Sequence, residues 1–289
     1  MTRKQNSVAP ARHRRNLAQH TLRMLLLVPE APLILVLLAT YAILGAWPWL
    51  GLCIALVIIG FLTRMLALLG AFIAYTTAHY REAETLGRIA LALHPWSADT
   101  LALCGTIALA RRQADQAELL LRHAAQLQPE RADFQIALSS ALLTQGHPAA
   151  AAEAARTALR IAPNTPLAQL YLAEAERASG MPVTEVEERL RAGLAVATTP
   201  EAEAALRCAL GTVLFEAERN AEAMLTIRGA EALLPRCTPS SQLELRVRLG
   251  ELLIAQGQIE RAREQFQGVA ALDPSGRYTG AAWRASHLL

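Results

Sequence analysis

The side chains able to do chemistry in this sequence are seven histidines, four cysteines and scattered carboxylates. Glu185, Glu187 and Glu188 stand closest together. Two carboxylates can share general acid and base work when they face one another in a protected site. On a helix these three spread over more than one face, so they read as an exposed acidic turn. Cys53, Cys104, Cys208 and Cys237 have no metal-ligand spacing, and nothing in their placement suggests a disulfide framework. His94, His123 and His147 fall at turns or on second helices of a repeat described below, where solvated polar roles are expected. There is no Gly-rich phosphate loop, no G-x-S-x-G, no H-E-x-x-H and no C-x-x-C. The reading is a non-enzymatic chain, with no catalytic residues, metal, cofactor or small-molecule substrate.

The elements that carry these residues are more legible than their chemistry. Pro95, Pro129 and Pro163 are evenly spaced, and Pro235 and Pro274 close two further units after longer connections. A small residue recurs at a fixed distance before each: Ala83, Ala117, Ala151, Ala223 and Ala262. A second small or apolar position follows it, at Ala90, Ala124, Ala158, Ala230 and Val269. Between them lies a larger position, Leu121, Ile227 and Phe266, with Ala155 and Gly87 as weaker versions. Gly105, Gly211 and Gly250 stand near the start of their units, with Ser139 and Ala173 in the same place elsewhere. Within each unit two apolar-periodic stretches flank a short polar turn, such as Arg111-Arg112-Gln113 or Gln145-Gly146-His147. That is a helix pair. The small residues mark where the two helices cross closely, and the proline stops the second helix because it cannot continue the backbone ladder. Ser97, Thr165 and Thr199 stand where helix caps belong, and Pro166 and Pro200 follow two of them at the first helical position.

The period is about 34 residues, and the pattern resembles the tetratricopeptide repeat (TPR) family. The resemblance covers roughly residues 81 to 276. It implies an all-α, right-handed TPR α-solenoid, which would follow the N-terminal transmembrane helical hairpin expected from the apolar residues 24–77. The units are residues 98–131, 132–165, 166–199, 204–237 and 243–276. The third needs one extra residue before Val186 and has Gly193 where alanine is usual. Residues 277–289 resemble a capping helix over the last apolar face. Phe and Trp of the family consensus give way to Leu and Ala. The family's groove positions, carried over residue by residue, are Ala102, Thr106 and Leu109, then Ile136, Ser140 and Leu143, then Leu170, Glu174 and Arg177. The later units supply Cys208, Thr212, Phe215, Val247, Glu251 and Ile254. They are largely apolar or small, and they lack the Lys, Arg and Asn of a carboxylate clamp. The resemblance therefore implies an apolar partner helix or extended segment in this groove. The same small residues would also permit tight superhelical curvature.

Ahead of the repeats the composition changes. Residues 24–77 are a long apolar run broken by Trp47-Pro48-Trp49 and Gly51. The run is too long for one span, which needs about 20 residues, so the expectation is a membrane hairpin with arms of about 24–47 and 49–77. Trp47 and Trp49 would anchor its tip at the interface. Residues 1–23 form a basic tail holding Arg3, Lys4, Arg12, Arg14, Arg15 and Arg23 and no acid. A tail of that kind stays cytoplasmic, so two crossings return the repeats to the cytoplasmic side of a bacterial inner or plasma membrane. Nucleic acid is not implied, because the repeat region is mildly acidic and the net charge of +3 comes from this tail. Two charges interrupt the apolar run, Glu30 and Arg64, on opposite arms and similarly far from Pro48. They either meet as an ion pair or snorkel separately to the interface. Residues 78–97 read as a partial repeat. Counting back from Pro95, residues 64 to about 77 would be its first helix, so the second arm either runs into the solenoid or is one long tilted span.

Together these features imply a non-catalytic, membrane-anchored interaction scaffold with protein partners and membrane lipid as its contacts. Two other readings are an accessory or regulatory transmembrane subunit packing through its hairpin, and an envelope protein with external repeats.

Overall fold

The computed structural model describes residues 48–273 and, ahead of them, Val36, Leu37, Ala39, Thr40 and Ala42. Among these residues every regular element is helical. The helices are α1 (Pro48–Thr76), α2 (Tyr80–Leu93), α3 (Ala98–Ala110), α4 (Ala114–Leu127), α5 (Ala132–Thr144) and α6 (Pro148–Ile161). They continue as α7 (Pro166–Ala178), α8 (Val183–Val196), α9 (Pro200–Glu216), α10 (Asn220–Leu233), α11 (Pro239–Ala255) and α12 (Ile259–Leu272). A 3₁₀ turn, Leu234–Arg236, joins α10 to α11. The basic tail, Glu30, Trp47, almost all of the first hairpin arm, Pro274 and the expected capping helix lie outside the described residues. The chain divides into two compact units, Met1–Ala67 and Leu68–Leu289.

In the first unit the described chain is mainly the N-terminal part of α1. Leu52, Leu56, Ile59, Leu62 and Leu66 are all more than half exposed. A helix this apolar cannot be solvated comfortably along its sides. Thr63 turns its hydroxyl back to the Ile59 carbonyl at 2.8 Å, leaving no free donor on the surface. Arg64 is buried, with its guanidinium 5.7 Å from the centre of the Phe61 ring. Trp49 is exposed. Gly51–Thr76 is the one stretch among the described residues long and apolar enough to cross a membrane, at 26 residues and a mean hydropathy of 2.5. At 1.5 Å per residue it measures about 39 Å, longer than the roughly 30 Å hydrocarbon layer.

The second unit is a row of antiparallel helix pairs. Each pair is keyed by a size match at the crossing. A Cβ added to Gly105 would lie 2.6 Å from Leu121 Cγ; one on Gly211 would lie 2.8 Å from Ile227, and one on Gly250 2.7 Å from the Phe266 ring. In the second repeat the partner has shrunk to Ala155, and the glycine is replaced by Ser139, whose buried hydroxyl donates to the Ala151 carbonyl at 2.8 Å. Large faces Gly, and small faces Ser. Such close packing tolerates little change in volume.

The same logic resolves the irregular third repeat. Its connection, Ser179 to Pro182, is one residue longer than the Arg111–Gln113 turn, which accounts for the extra residue. Gly193 is needed for close approach: a Cβ there would stand 2.9 Å from Leu206 and 3.1 Å from Gln169. The shorter turns share a left-handed middle residue, which Gly146 and Gly257 adopt freely and Arg112 and Glu218 adopt at a steric cost. Ser97 and Thr199 cap α3 and α9 through the amides of Thr100 and Ala202. Thr165 instead donates to the Ala162 carbonyl.

The end of α1 takes part in this row. Gly70 lets Leu86 of α2 approach, with a Cβ there meeting Leu86 Cδ1 at 3.0 Å. Ala71, Ala83 and Ile107 form a small buried cluster. So the last turns of α1 pack against α2. Cys104 sits half-buried against Gly87, and burial pushes its thiol up to about 11. Helices α9 and α11 begin at Pro200 and Pro239 rather than at residues 204 and 243. Each gains a turn at its N-terminus over the 13-residue first helices of the earlier repeats.

Candidate partner-binding groove

The first helices of successive repeats, α3, α5, α7, α9 and α11, share one inner face. Of the residues assigned to it from sequence, the first in each unit is buried: Ala102, Ile136, Leu170, Cys208 and Val247 are each under a tenth exposed. These side chains belong to the packing between helices. The next ones are accessible: Thr106, Leu109, Ser140, Leu143, Glu174, Thr212, Phe215 and Ile254 are half-buried, and Arg177 and Glu251 are exposed. The surface stripe continues through the positions one residue beyond the buried set, namely Leu103, Ala137, Tyr171, Ala209 and Arg248, all half-buried. One residue is about 100° around a helix, so a single step in register exchanges core for surface.

The face has two characters. Along α3 and α5 it is Leu103, Thr106, Leu109, Ala137, Ser140 and Leu143, with charge only at the helix starts, where Asp99 and Asp133 pair with Arg131. Along α7, α9 and α11 it is charged and cross-linked. Arg248 of α11 reaches over α9 to Glu174 of α7 at 2.6 Å and also holds Glu244 at 3.0 Å. The reach is possible because α9 presents only Ala205, Cys208 and Ala209 along this line. Arg177 pairs with Glu216 at 2.8 Å. Glu201, in the extra turn of α9, accepts a hydrogen bond from the Thr238 amide at 3.1 Å.

A cavity of about 190 Å³ opens between these helices, lined by Tyr75, Leu170, Tyr171, Glu201, Glu244 and Arg248 among others. Burial pushes the Tyr171 hydroxyl up to about 12, and Tyr171 is hydrogen-bonded with Ser140. Burial also pushes the Cys208 thiol up to about 12, with Arg248 opposing the shift and Glu174 and Glu244 adding to it. The neighbouring Glu174 carboxylate holds Arg248 well above the usual guanidinium range. A neutral tyrosine, a neutral thiol and a permanently charged arginine supply neither a nucleophile nor a proton-transfer group near neutral pH. The chemistry open to this surface is recognition. Glu174 and Glu244 share one Arg248, and Glu201 lines the same cavity, so the local balance is negative and favours a cationic ligand group. Among the described residues no group of three or more His, Cys, Asp or Glu could hold a metal ion.

Sequence reasoning missed Tyr75, Tyr171, Glu201, Glu244 and Arg248. Tyr171 and Arg248 carry a readable signal: large or charged residues at a repeat position otherwise held by Leu or Ala. Tyr75 carries none, since it comes from the end of α1, far along the chain from its cavity partners.

No family model matches the chain, and no curated protein matches it. Among solved structures it is similar to TTC0263, a thermophilic TPR protein of Thermus thermophilus. That match has 22% identity and a TM-score of 0.56, and covers 66% of this chain and 99% of that one. It is also similar to a chain of the APC/C hetero-tetramer Cut9-Hcn1, with 17% identity and a TM-score of 0.55, over 75% of this chain and 42% of that one. The helix pairs of residues 98–272 thus have the tetratricopeptide-repeat fold.

Proposed function

We propose that this chain is a membrane-anchored interaction scaffold whose inner face seats a helix or extended segment of a protein partner, for assembly of a complex at the membrane. The observation that carries the reading is α1. Its 26-residue apolar stretch includes an 18-residue window of which only 11% is buried, and the end of the same helix packs against α2. Apolar area left uncovered on this scale is covered by lipid or by other apolar helices. The anchor would keep the repeats at the membrane, where subunits of a membrane complex lie.

The two halves of the inner face suggest the partner's chemistry. Its apolar side chains would lie over α3 and α5, and a Lys or Arg would meet the carboxylates of α7, α9 and α11. No residue on this face is arranged for catalysis, which fits a scaffold.

Two measurements on the full-length chain test the proposal. Alkaline carbonate washing of native membranes should leave the protein in the pellet; release into the wash removes the anchor. Affinity capture from mild detergent should recover partners with the natural chain and lose them with Thr106→Arg plus Ser140→Arg. Equal recovery by both removes the groove.

A further inference from the structure

The inner face of the last two repeats is already occupied. The turn that follows α1, Thr77 to His79, and its flanking tyrosines lie in it. Ala78 is 1% exposed and Tyr80 3% exposed, and both belong to one packed cluster with Ala204 and Cys208 of α9 and Leu245 and Val247 of α11. Tyr75 packs against the same cluster and forms one wall of the cavity holding Tyr171, Glu244 and Arg248. The rings of Tyr75 and Tyr80 are 6.1 Å apart and tilted by 59°. Ala78 takes a left-handed conformation at φ 66°, which no glycine relieves. A β-carbon is strained in that region, and the conformation persists where the surroundings hold it.

We infer that the segment Tyr75–Tyr80 is a built-in occupant of the groove, and that a partner engages α9 and α11 only by displacing it. The inference rests on the proposed function above only for the partner; the occlusion itself concerns this chain alone. The open half, α3 and α5, then makes first contact, and the occluded half is reached after the tyrosines leave. The segment joins α1 to α2, so a shift in α1 would change how well it fills the groove.

Cys208 reports the occlusion, because its thiol is buried beneath this cluster. With Cys53, Cys104 and Cys237 replaced by Ser in the full-length chain, maleimide labelling of Cys208 should rise about tenfold or more in Tyr75→Ala, as local opening exposes it. Tyr75→Phe should label as slowly as the natural chain. Unchanged labelling in a Tyr75→Ala protein that still melts cooperatively overturns the inference. So does a rise in Arg248→Ala alone, which would make the guanidinium the cover. If Tyr75→Ala does not fold, benzoyl-phenylalanine at position 75 serves instead. Photocrosslinks to peptides of α9 or α11 support the occupant, and crosslinks confined to other helices overturn it. Partner capture unchanged by an opened groove would count against the proposed seat and leave the occlusion standing.

Discussion

The second and fifth repeats use one plan and differ in what they add to it. The second repeat, α5 and α6, has the small pair Ser139 and Ala155 at its crossing, a 13-residue first helix and an inner face whose only charge is Asp133 at the helix start, held by Arg131. The fifth, α11 and α12, has Gly250 against Phe266, a 17-residue first helix and an inner face crossed by Arg248. At the crossing itself the second repeat relies on small side chains, while the fifth fills the space with one ring. In a repeat row stability is close to a sum of unit and neighbour terms, so the two crossings can be compared by substitution.

The largest difference should appear at the crossings. Phe266→Ala should destabilise the chain by about 3–5 kcal/mol in denaturant unfolding. At the equivalent site Ala155→Gly should cost only about 1 kcal/mol, mostly as helix propensity. Equal costs would break the contrast. Next comes Ser139→Ala, which removes the hydroxyl bond to the Ala151 carbonyl and should cost about 1 kcal/mol. Ser139→Leu should cost more than Ser139→Ala, because the site is fully buried.

The inner faces differ in their response to pH. Tyr171 is pushed up to about 12, whereas a tyrosine in the unfolded chain ionises near its ordinary value of about 10. Below that value both states are neutral and the group is indifferent. Between about 10 and about 12 only the unfolded state gives up its proton, so stability falls as pH rises through that window. Tyr171→Phe should flatten the fall, and phenolate absorbance should show a late-titrating tyrosine that the variant lacks. The smallest effect is at the turns. Glu218 holds a left-handed conformation that Gly146 and Gly257 hold without strain. Glu218→Gly should therefore be neutral or stabilising, by up to about 1 kcal/mol, and Gly257→Ala destabilising by a similar amount.

Much of this is legible in the sequence where the cause is local. Helix pairs, crossing residues and turns follow from spacing that any stretch of the chain carries by itself. The extra turn of α9 is written in Thr199-Pro200, a cap followed by a proline suited to the first helical position, although the repeat period alone starts that unit at residue 204. The family's groove positions fall one register step toward the core at Ala102, Ile136, Leu170, Cys208 and Val247, because a set of positions says less than the burial each neighbour imposes. The meeting of Tyr75 with α9 and α11 is beyond the reach of sequence. It depends on small rotations between successive repeats, added up over the whole row, and no local pattern encodes that sum.

The central claim is that the inner face, and not the outer, is the working surface. Photocrosslinking in native membranes tests it directly, with benzoyl-phenylalanine placed at Thr106 on the inner face or at Leu119 on the exposed side of α4. The account predicts a discrete crosslinked partner from position 106 and none from position 119. Partner capture from position 119 alone, or equally from both, would contradict it.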